Sequence, residues 1–326
     1  MKFKHSFNVF VDNFGTIYKV LLYRVIVLLF SLCLYAAVIF PFLTNISGTT
    51  EFTELSSLLG SFGTAFVNLD FAAMQTYWLE IREAFVRLME MLGSMTGSIV
   101  LTVAIVILVY LVQKFLLGLS NYTAAAMVND KMAMHAASPF IGTLIKNLGK
   151  ACLYNAIYVP LSTLYNIIAI AIIFGISAGL MAMGTPILLL IFLASTAMVF
   201  LIAIQMTFTS DWLPSLIYAK TTNRGAMVYS FNYISAGNKK FSETLSHYVV
   251  FVLIIFAMNV VAVFFTLGAG LFITLPASYV LFICFQLVNY CDNNEIKYFV
   301  DKNTIIKPDR ETIMTREQFF KGDNQR

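Results

Sequence analysis

Long stretches of this chain carry no charged side chain, and their lengths predict its architecture. Between Lys150 and Asp211 there is no Asp, Glu, Lys or Arg, which leaves an uncharged run of 60 residues. A second uncharged run, between Glu243 and Asp292, is 48 residues long. A helix needs about 20 apolar residues to cross the hydrocarbon core of a bilayer. Each run therefore predicts two membrane-spanning helices joined by a short turn.

Two further uncharged runs, 25–50 and 91–113, each supply one more span. The chain is thus predicted to be an all-α polytopic membrane protein with a membrane domain over 1–291 and a cytoplasmic tail over 292–326. The six predicted spans are about 20–43, 98–120, 151–180, 186–209, 248–267 and 271–290.

The distribution of basic residues predicts the orientation in the membrane. The segment 44–97 contains only Arg82 and Arg87 beside six acidic residues. Other basic residues lie in the N-terminal segment, in the two longer connections between spans and in the tail: Lys2, Lys4, Lys19, Arg24, Lys131, Lys146, Lys150, Lys220, Arg224, Lys239, Lys240 and seven more after position 292. Because Lys and Arg are enriched in cytoplasmic loops, both termini are predicted to be cytoplasmic and 44–97 to face outward.

Amphipathic surface helices are predicted outside the spans. Phenylalanines and an isoleucine recur every three or four positions near the N-terminus, which indicates one face of a helix over 2–18 lying along the inner membrane surface: Phe3, Phe7, Phe10, Phe14 and Ile17. In the outward segment, the stripe from Trp78 to Leu92 predicts a second helix over 71–92, which rests on the outer leaflet or caps the bundle. Glu83 and Arg87 are expected to pair on its wet face.

The composition supports a membrane protein and excludes other classes. Hydrophobic residues make up 59% of the 326 residues and charged residues 12%, against about 25% in soluble domains. The net charge of +4 is dispersed, so no nucleic-acid partner is expected. The four cysteines lie in or beside apolar runs, which argues against a disulfide framework.

No catalytic or cofactor motif is supported. The string 175–179 (GISAG) matches the G-x-S-x-G of serine hydrolases, but it lies within a predicted span and not in a strand-to-helix elbow. All three histidines are placed at the opposite side of the membrane, so no base serves Ser177. We therefore expect no enzyme activity, cofactor or metal. Ala171, Gly175 and Gly179 instead predict a small-residue face for helix packing.

The predicted spans also contain almost no ionisable side chains. Lys114 is the exception, and no buried carboxylate of the kind common in ion-coupled transporters is expected. This pattern favours a transporter energised by a partner over one driven by an ion gradient.

A spacing of lysines suggests where a partner docks. Lys131 and Lys150 are 19 residues apart, as are Lys220 and Lys239, and the two pairs are offset by 89 residues. Each pair lies in a predicted cytoplasmic connection between spans. These four lysines are candidate partner-docking residues. The offset is compatible with a weak internal repeat of a surface helix followed by a hairpin, and equally with chance or with the pattern that all membrane loops share.

The closing hairpin supplies a family resemblance. The run Gly268–Pro276, followed by Tyr279 and a span ending in Val288, Asn289 and Tyr290, forms a glycine turn, an apolar stretch to proline and an aromatic end. It is similar to the membrane domain attached to some bacterial glycerophosphodiester phosphodiesterases and to related six-span proteins. The resemblance implies a bacterial cytoplasmic-membrane protein. The phosphodiesterase domain is absent, so that activity is not implied.

Two functional hypotheses follow from these patterns. The first is a permease-like subunit of a transport assembly in the cell membrane, working with a cytoplasmic ATPase or another membrane subunit. The alternative is a structural or lipid-interacting envelope protein with no transport cycle, which the phenylalanine-rich surface helices favour. Membrane lipids are expected partners in both.

Overall fold

The computed structural model describes residues 2–219, 221–235, 238–307 and 312–315, and most of them are helical. Eleven helices are present in these ranges: α1 (Lys2–Asp12), α2 (Phe14–Ser47), α3 (Thr50–Val67), α4 (Phe71–Ser94), α5 (Thr96–Met134), α6 (Phe140–Ala182), α7 (Ile187–Thr209), α8 (Trp212–Tyr218), α9 (Asn223–Ser235), α10 (Asn238–Thr266) and α11 (Leu271–Asn293). Three short strands follow: β1 (Tyr298–Phe299), β2 (Thr304–Lys307) and β3 (Thr312–Thr315).

Six helical segments in the described part are long and apolar enough to cross a membrane, namely α2, α5, α6, α7, α10 and α11. Each predicted span coincides with one of them, so the all-α, six-span architecture is confirmed and the chain is a multi-pass integral membrane protein. Several helices run well beyond the predicted spans; α6, for example, has 43 residues. The uncharged runs therefore located the spans but not the ends of the helices.

The predicted N-terminal helix is interrupted. α1 ends at Asp12 and α2 begins at Phe14, because the Asn13 side chain donates to the Val9 carbonyl at 2.8 Å and the backbone turns there. Its phenylalanines also do not share one environment. Phe10 is buried at 9% exposure, whereas Phe7 remains 56% exposed. The predicted single amphipathic helix over 2–18 is thus two helices, and α1 uses part of its apolar surface for protein packing.

The described residues fall into two compact units, of which the larger contains residues up to 25 and from 114 onward. α11 is its central helix, with thirteen buried residues from Pro276 to Cys291. Phe285 stacks on Phe251 of α10 with ring centroids 4.2 Å apart, and on Phe3 of α1 at 5.4 Å. These aromatic contacts hold α1, α10 and α11 together.

The tail forms a small antiparallel sheet in the order β1-β2-β3. Tyr298, Val300 and Ile305 are each at most 2% exposed, so the sheet has a packed apolar side. The sequence pattern predicts no strands in this tail. Over 298–307, β-branched and aromatic residues pair in strands and bury their side chains.

The smaller unit, 26–113, contains parts of α2 and α5 and a helical hairpin formed by α3 and α4. α4 confirms the helix predicted over 71–92, whereas α3 was not anticipated. The predicted ion pair between Glu83 and Arg87 is absent: Arg87 instead reaches across the hairpin to Glu54, with Nη2 and Oε1 2.5 Å apart.

Candidate functional site

Polar side chains gather in the larger unit where α1, the α7–α8 junction, α10 and the end of α11 meet. Lys2 of α1 donates from Nζ to the side-chain oxygens of Asn289 at 3.0 Å and Asn293 at 3.1 Å, both on α11. Phe3 packs beside it on the ring of His247 from α10, with centroids 5.8 Å apart. The first residues of the chain therefore close over the ends of two spanning helices.

Asp211 is the central charged residue of this region. It follows the last turn of α7 and directly precedes α8, and it is only 1% exposed. Neither carboxylate oxygen has a well-formed hydrogen bond from a described residue, although the Ser210 hydroxyl is adjacent. Lys2 is close enough to interact electrostatically but directs its own hydrogen bonds to α11. The structure therefore buries a carboxylate with the Ser210 hydroxyl as its adjacent donor.

Several donors around Asp211 are also buried and without a partner among the described residues. Tyr248 of α10 is fully buried and lies near enough to Asp211 to interact electrostatically, as does Tyr290 of α11. The unpartnered donors in this region are Tyr248 Oη, Asn289 Nδ2 and Asn293 Nδ2. The Ser210 hydroxyl instead lies beside Asp211, the Tyr218 hydroxyl lies beside Cys291, and the Trp212 indole packs against Tyr154 and Tyr158.

Such a concentration of unsatisfied groups has an energetic cost and a chemical consequence. Each buried donor or acceptor left without a partner costs about 1–3 kcal/mol. Internal water, a proton on the carboxylate or a small polar solute restores the missing hydrogen bonds. We name this region the Asp211 centre, defined by Asp211, Ser210, Tyr248 and Asn289.

A hydrogen-bonded chain links α1 to the tail sheet beside the Asp211 centre. The Tyr298 hydroxyl donates to Asp292 Oδ1 at 2.9 Å, and His5 Nδ1 lies 3.2 Å from the same hydroxyl oxygen. Burial lowers the pKa of His5, and the nearby Asp292 carboxylate only partly offsets this. Burial, followed by the negative charge of Asp292, raises the pKa of Tyr298. At neutral pH the imidazole of His5 and the phenol of Tyr298 in this hydrogen-bonded chain are therefore both neutral.

The Asp211 centre corrects the expectation that the bundle holds no buried carboxylate. Asp211 lies two residues beyond the predicted span 186–209, in a position that a hydropathy reading assigns to the solvated end of a helix. The available signal was its position at the end of a 60-residue uncharged run, directly before Trp212. Apolar residues on both sides of an acidic residue favour its burial when they pack into the core.

A second feature is a small cavity of about 110 Å³ beside the α1–α2 break. Lys131 crosses it and pairs with Asp12, with Nζ and Oδ2 2.9 Å apart, and His135 Nδ1 lies 3.8 Å from the same oxygen. The lining includes Lys19, Thr16 and Ser138. We name this the Lys19 pocket. It offers the exposed Lys19 ammonium and the Thr16 hydroxyl to an anionic group, whereas the Ser138 hydroxyl already donates to Asp130.

The candidate docking lysines have different environments. Lys131 is half-buried in its ion pair with Asp12, so its charge is largely engaged within the chain. Lys150 is exposed on α6 and remains available to a partner. Lys220 lies outside the described residues. Lys239 belongs to α10, but its side chain lies outside the described part. Docking by these four residues stays a prediction.

The small-residue face on α6 is open. Ala171, Gly175 and Gly179 are all exposed, and an added Cβ at either glycine meets no described atom within 4 Å. No described helix of this chain therefore packs closely there. The predicted helix-packing role stays a prediction that requires a helix from another chain.

Two basic residues in the spanning helices contact side chains of neighbouring helices. Arg24 donates from Nη2 to Asn121 Oδ1 at 2.6 Å and lies over the Tyr279 ring, 3.7 Å from its centroid. Lys114 donates from Nζ to Thr163 Oγ1 at 3.1 Å. These contacts join α2 to α5 and α11, and α5 to α6. They stabilise the bundle, whereas buried polar atoms without a well-formed hydrogen bond remain at the Asp211 centre and also at Asn129, His135 and Asn155.

Metal binding finds no support in the described ranges, where no group of three His, Cys, Asp or Glu side chains is placed to hold an ion. No protein-family model, curated protein or solved structure matches this chain. The resemblance of its closing hairpin to phosphodiesterase-linked membrane domains therefore stays a prediction.

Proposed function

We propose that this integral membrane protein is a permease-like subunit of a transport assembly in a bacterial cytoplasmic membrane. The observation that supports the proposal is the Asp211 centre. An ionisable residue buried at the end of spanning helices is costly, and such residues commonly mark the path of a substrate or a proton. A protein with a purely structural role in the membrane gains no stability from a buried carboxylate at this position.

The exposure of the spanning helices supports a subunit within a larger assembly. In the most apolar window of five spans, only 6% to 17% of the residues are buried, against 61% in α11. Five of the spans thus leave wide apolar faces that are available to lipid or to other subunits. On this proposal the energy source is a partner ATPase, the protein itself has no enzyme activity, and both termini are cytoplasmic.

The proposed partner contact is testable by site-specific photocrosslinking in native membranes. A photoreactive amino acid at Lys150 is expected to capture a peripheral nucleotide-binding chain. The same residue at Lys302, which is also basic and exposed but lies in the tail, is the matched control and is expected to capture none. Equal capture at both positions, or capture of lipid only at position 150, would contradict the docking role.

The Lys19 pocket favours a second candidate function, in which the protein binds anionic lipid without a transport cycle. Lys19 is exposed at the pocket, whereas Lys131 is already paired with Asp12. In this alternative, a K19A variant loses a co-purifying anionic lipid that the wild type retains, while K150A keeps it. Retention of the same lipid by both variants would eliminate the pocket as a lipid site.

A further inference from the structure

The α3–α4 hairpin has two chemically different sides. Its interior is formed by small and apolar residues, with Ala65, Ala84 and Leu88 at most 8% exposed. On one side, Arg87 of α4 forms an ion pair with Glu54 of α3. Since that pair bridges the two helices, it defines a common polar side of the hairpin.

The opposite side is apolar on both helices. Phe52 is two residues from Glu54, and Phe85 is two residues from Arg87. Residues two apart on a helix point to nearly opposite sides, so both phenylalanines lie away from the ion pair. In each helix, starting from these phenylalanines, an apolar residue recurs every seven positions. Residues at this spacing lie on the same side of a helix. The resulting apolar side consists of Phe52, Leu59, Phe66, Phe71, Trp78 and Phe85.

Those six side chains are open to their surroundings. Their exposure ranges from 38% for Phe52 to 73% for Phe71. Phe62 joins the two rows, because its ring centroid lies 6.4 Å from that of Trp78. A continuous aromatic surface of this kind is uncommon on a water-facing structure and usually marks a membrane or protein contact.

Hydroxyl and turn groups of the hairpin form hydrogen bonds within it. Asp70 caps α4 by accepting from the Ala73 backbone N–H at 3.0 Å, and the turn N–H of Asp70 donates to Ala65 O. The hydroxyls of Ser61 and Thr64 donate to carbonyls one turn earlier in α3. Groups that are hydrogen-bonded in this way tolerate contact with lipid at low cost.

We propose that the α3–α4 hairpin lies along the membrane surface with this aromatic side inserted at the boundary between headgroups and acyl chains. Two residues, 48 and 49, connect α2 to α3, and residue 95 alone connects α4 to α5. Both ends of the hairpin are therefore held next to spanning helices. Trp and Phe are favoured at this depth of a bilayer.

The charge of the hairpin makes the proposal specific. Residues 50–94 contain two arginines and six acids, which gives 2 − 6 = −4. This net charge excludes attraction to anionic headgroups as the driving force. Insertion is thus expected to depend on apolar burial and to be insensitive to the anionic lipid content.

Fluorescence quenching of Trp78 in the full chain tests this arrangement. The protein is placed in nanodiscs of zwitterionic lipid or of the same lipid with anionic lipid added, and the W78F spectrum is subtracted to isolate Trp78 from the buried Trp212. W78F/T76W is the matched control, since position 76 is two residues away and points to the polar side. We expect spin-labelled lipid to quench Trp78 about twofold more than the T76W side chain, with aqueous iodide showing the reverse order.

Three results would overturn the proposal. Equal iodide quenching at positions 76 and 78 would place the aromatic side in water. Protection of Trp78 from both quenchers would mean that protein covers it, either a second copy or a partner. Insertion that requires anionic lipid would show that headgroup charge drives the contact. None of these results bears on the Asp211 centre, so the proposed function is tested separately.

Discussion

Asp211 is an ionisable residue that the fold buries beside the Ser210 hydroxyl, and this arrangement has a measurable consequence. Replacing the carboxylate with an amide of the same shape removes a buried charge and keeps one oxygen that accepts hydrogen bonds from neighbouring donors. We expect D211N to raise the free energy of unfolding by about 1 kcal/mol or more. Thermal unfolding in detergent, followed by intrinsic fluorescence, measures the change.

D70N is the matched control, because Asp70 is exposed and asparagine caps a helix as well as aspartate does. It is expected to leave the unfolding temperature unchanged. A lower unfolding temperature for D211N than for wild type would show that the carboxylate is already stabilised in the native state, and it would remove the main support for a functional centre.

His5 provides a prediction on pH dependence at the same scale. Because burial holds its pKa below the ordinary value of 6.5, the unfolded chain binds the proton more readily than the folded one. The contribution of His5 to stability is therefore fully present above pH 6.5 and is lost as the pH falls through its lower folded-state pKa. The stability difference between wild type and H5N is expected to shrink on acidification. A difference that grows below pH 6.5 would contradict this assignment.

At the scale of elements, α5 and α6 approach closely at Gly118. A Cβ at this position would overlap Oδ1 of Asn155, which is fully buried and donates from Nδ2 to Ala151 O. We expect G118A to cost about 1–3 kcal/mol of stability, because the helices must separate or Asn155 must leave its rotamer. Urea or thermal unfolding of the purified protein measures the loss.

G175A is the control for G118A, since both place a methyl group on a spanning helix. Nothing described lies within 4 Å of a Cβ at Gly175, so its fold is expected to be as stable as wild type or slightly more stable. If G175A instead weakens self-association without affecting unfolding, the small-residue face of α6 contacts another chain, as the sequence predicts.

The elements that the sequence predicted are those fixed by local pattern. Uncharged runs located all six spans, because the bilayer demands that length whatever surrounds it. α3 was missed because Gly60, Gly63 and several serines weaken its helical pattern, and packing against α4 compensates. The burial of Asp211 was missed because it depends on contacts between residues far apart in the chain, which periodicity does not report. The tail sheet pairs locally, Tyr298 with Ile306 and Thr304 with Thr315, but its strands are only two to four residues long and show no clear alternation.

For the whole molecule, the positive-inside pattern predicts cytoplasmic termini and an outward hairpin. The prediction is tested with single cysteines in a chain whose four native cysteines are replaced. A membrane-impermeant thiol reagent added to intact cells is expected to label N68C, at the turn of the hairpin, and to label K302C only after permeabilisation. The reverse labelling pattern would invert the proposed orientation.

Native mass spectrometry after mild solubilisation from the source membrane tests the central claim, a permease-like subunit with Asp211 at its functional centre. The account predicts a stoichiometric complex with an ATPase chain. It also predicts that the D211N variant forms this complex as well as the wild type does, but that the rate of ATP hydrolysis by the complex changes. A lone chain that carries only lipid would contradict the account. So would a complex that hydrolyses ATP at the same rate with the D211N variant as with the wild type.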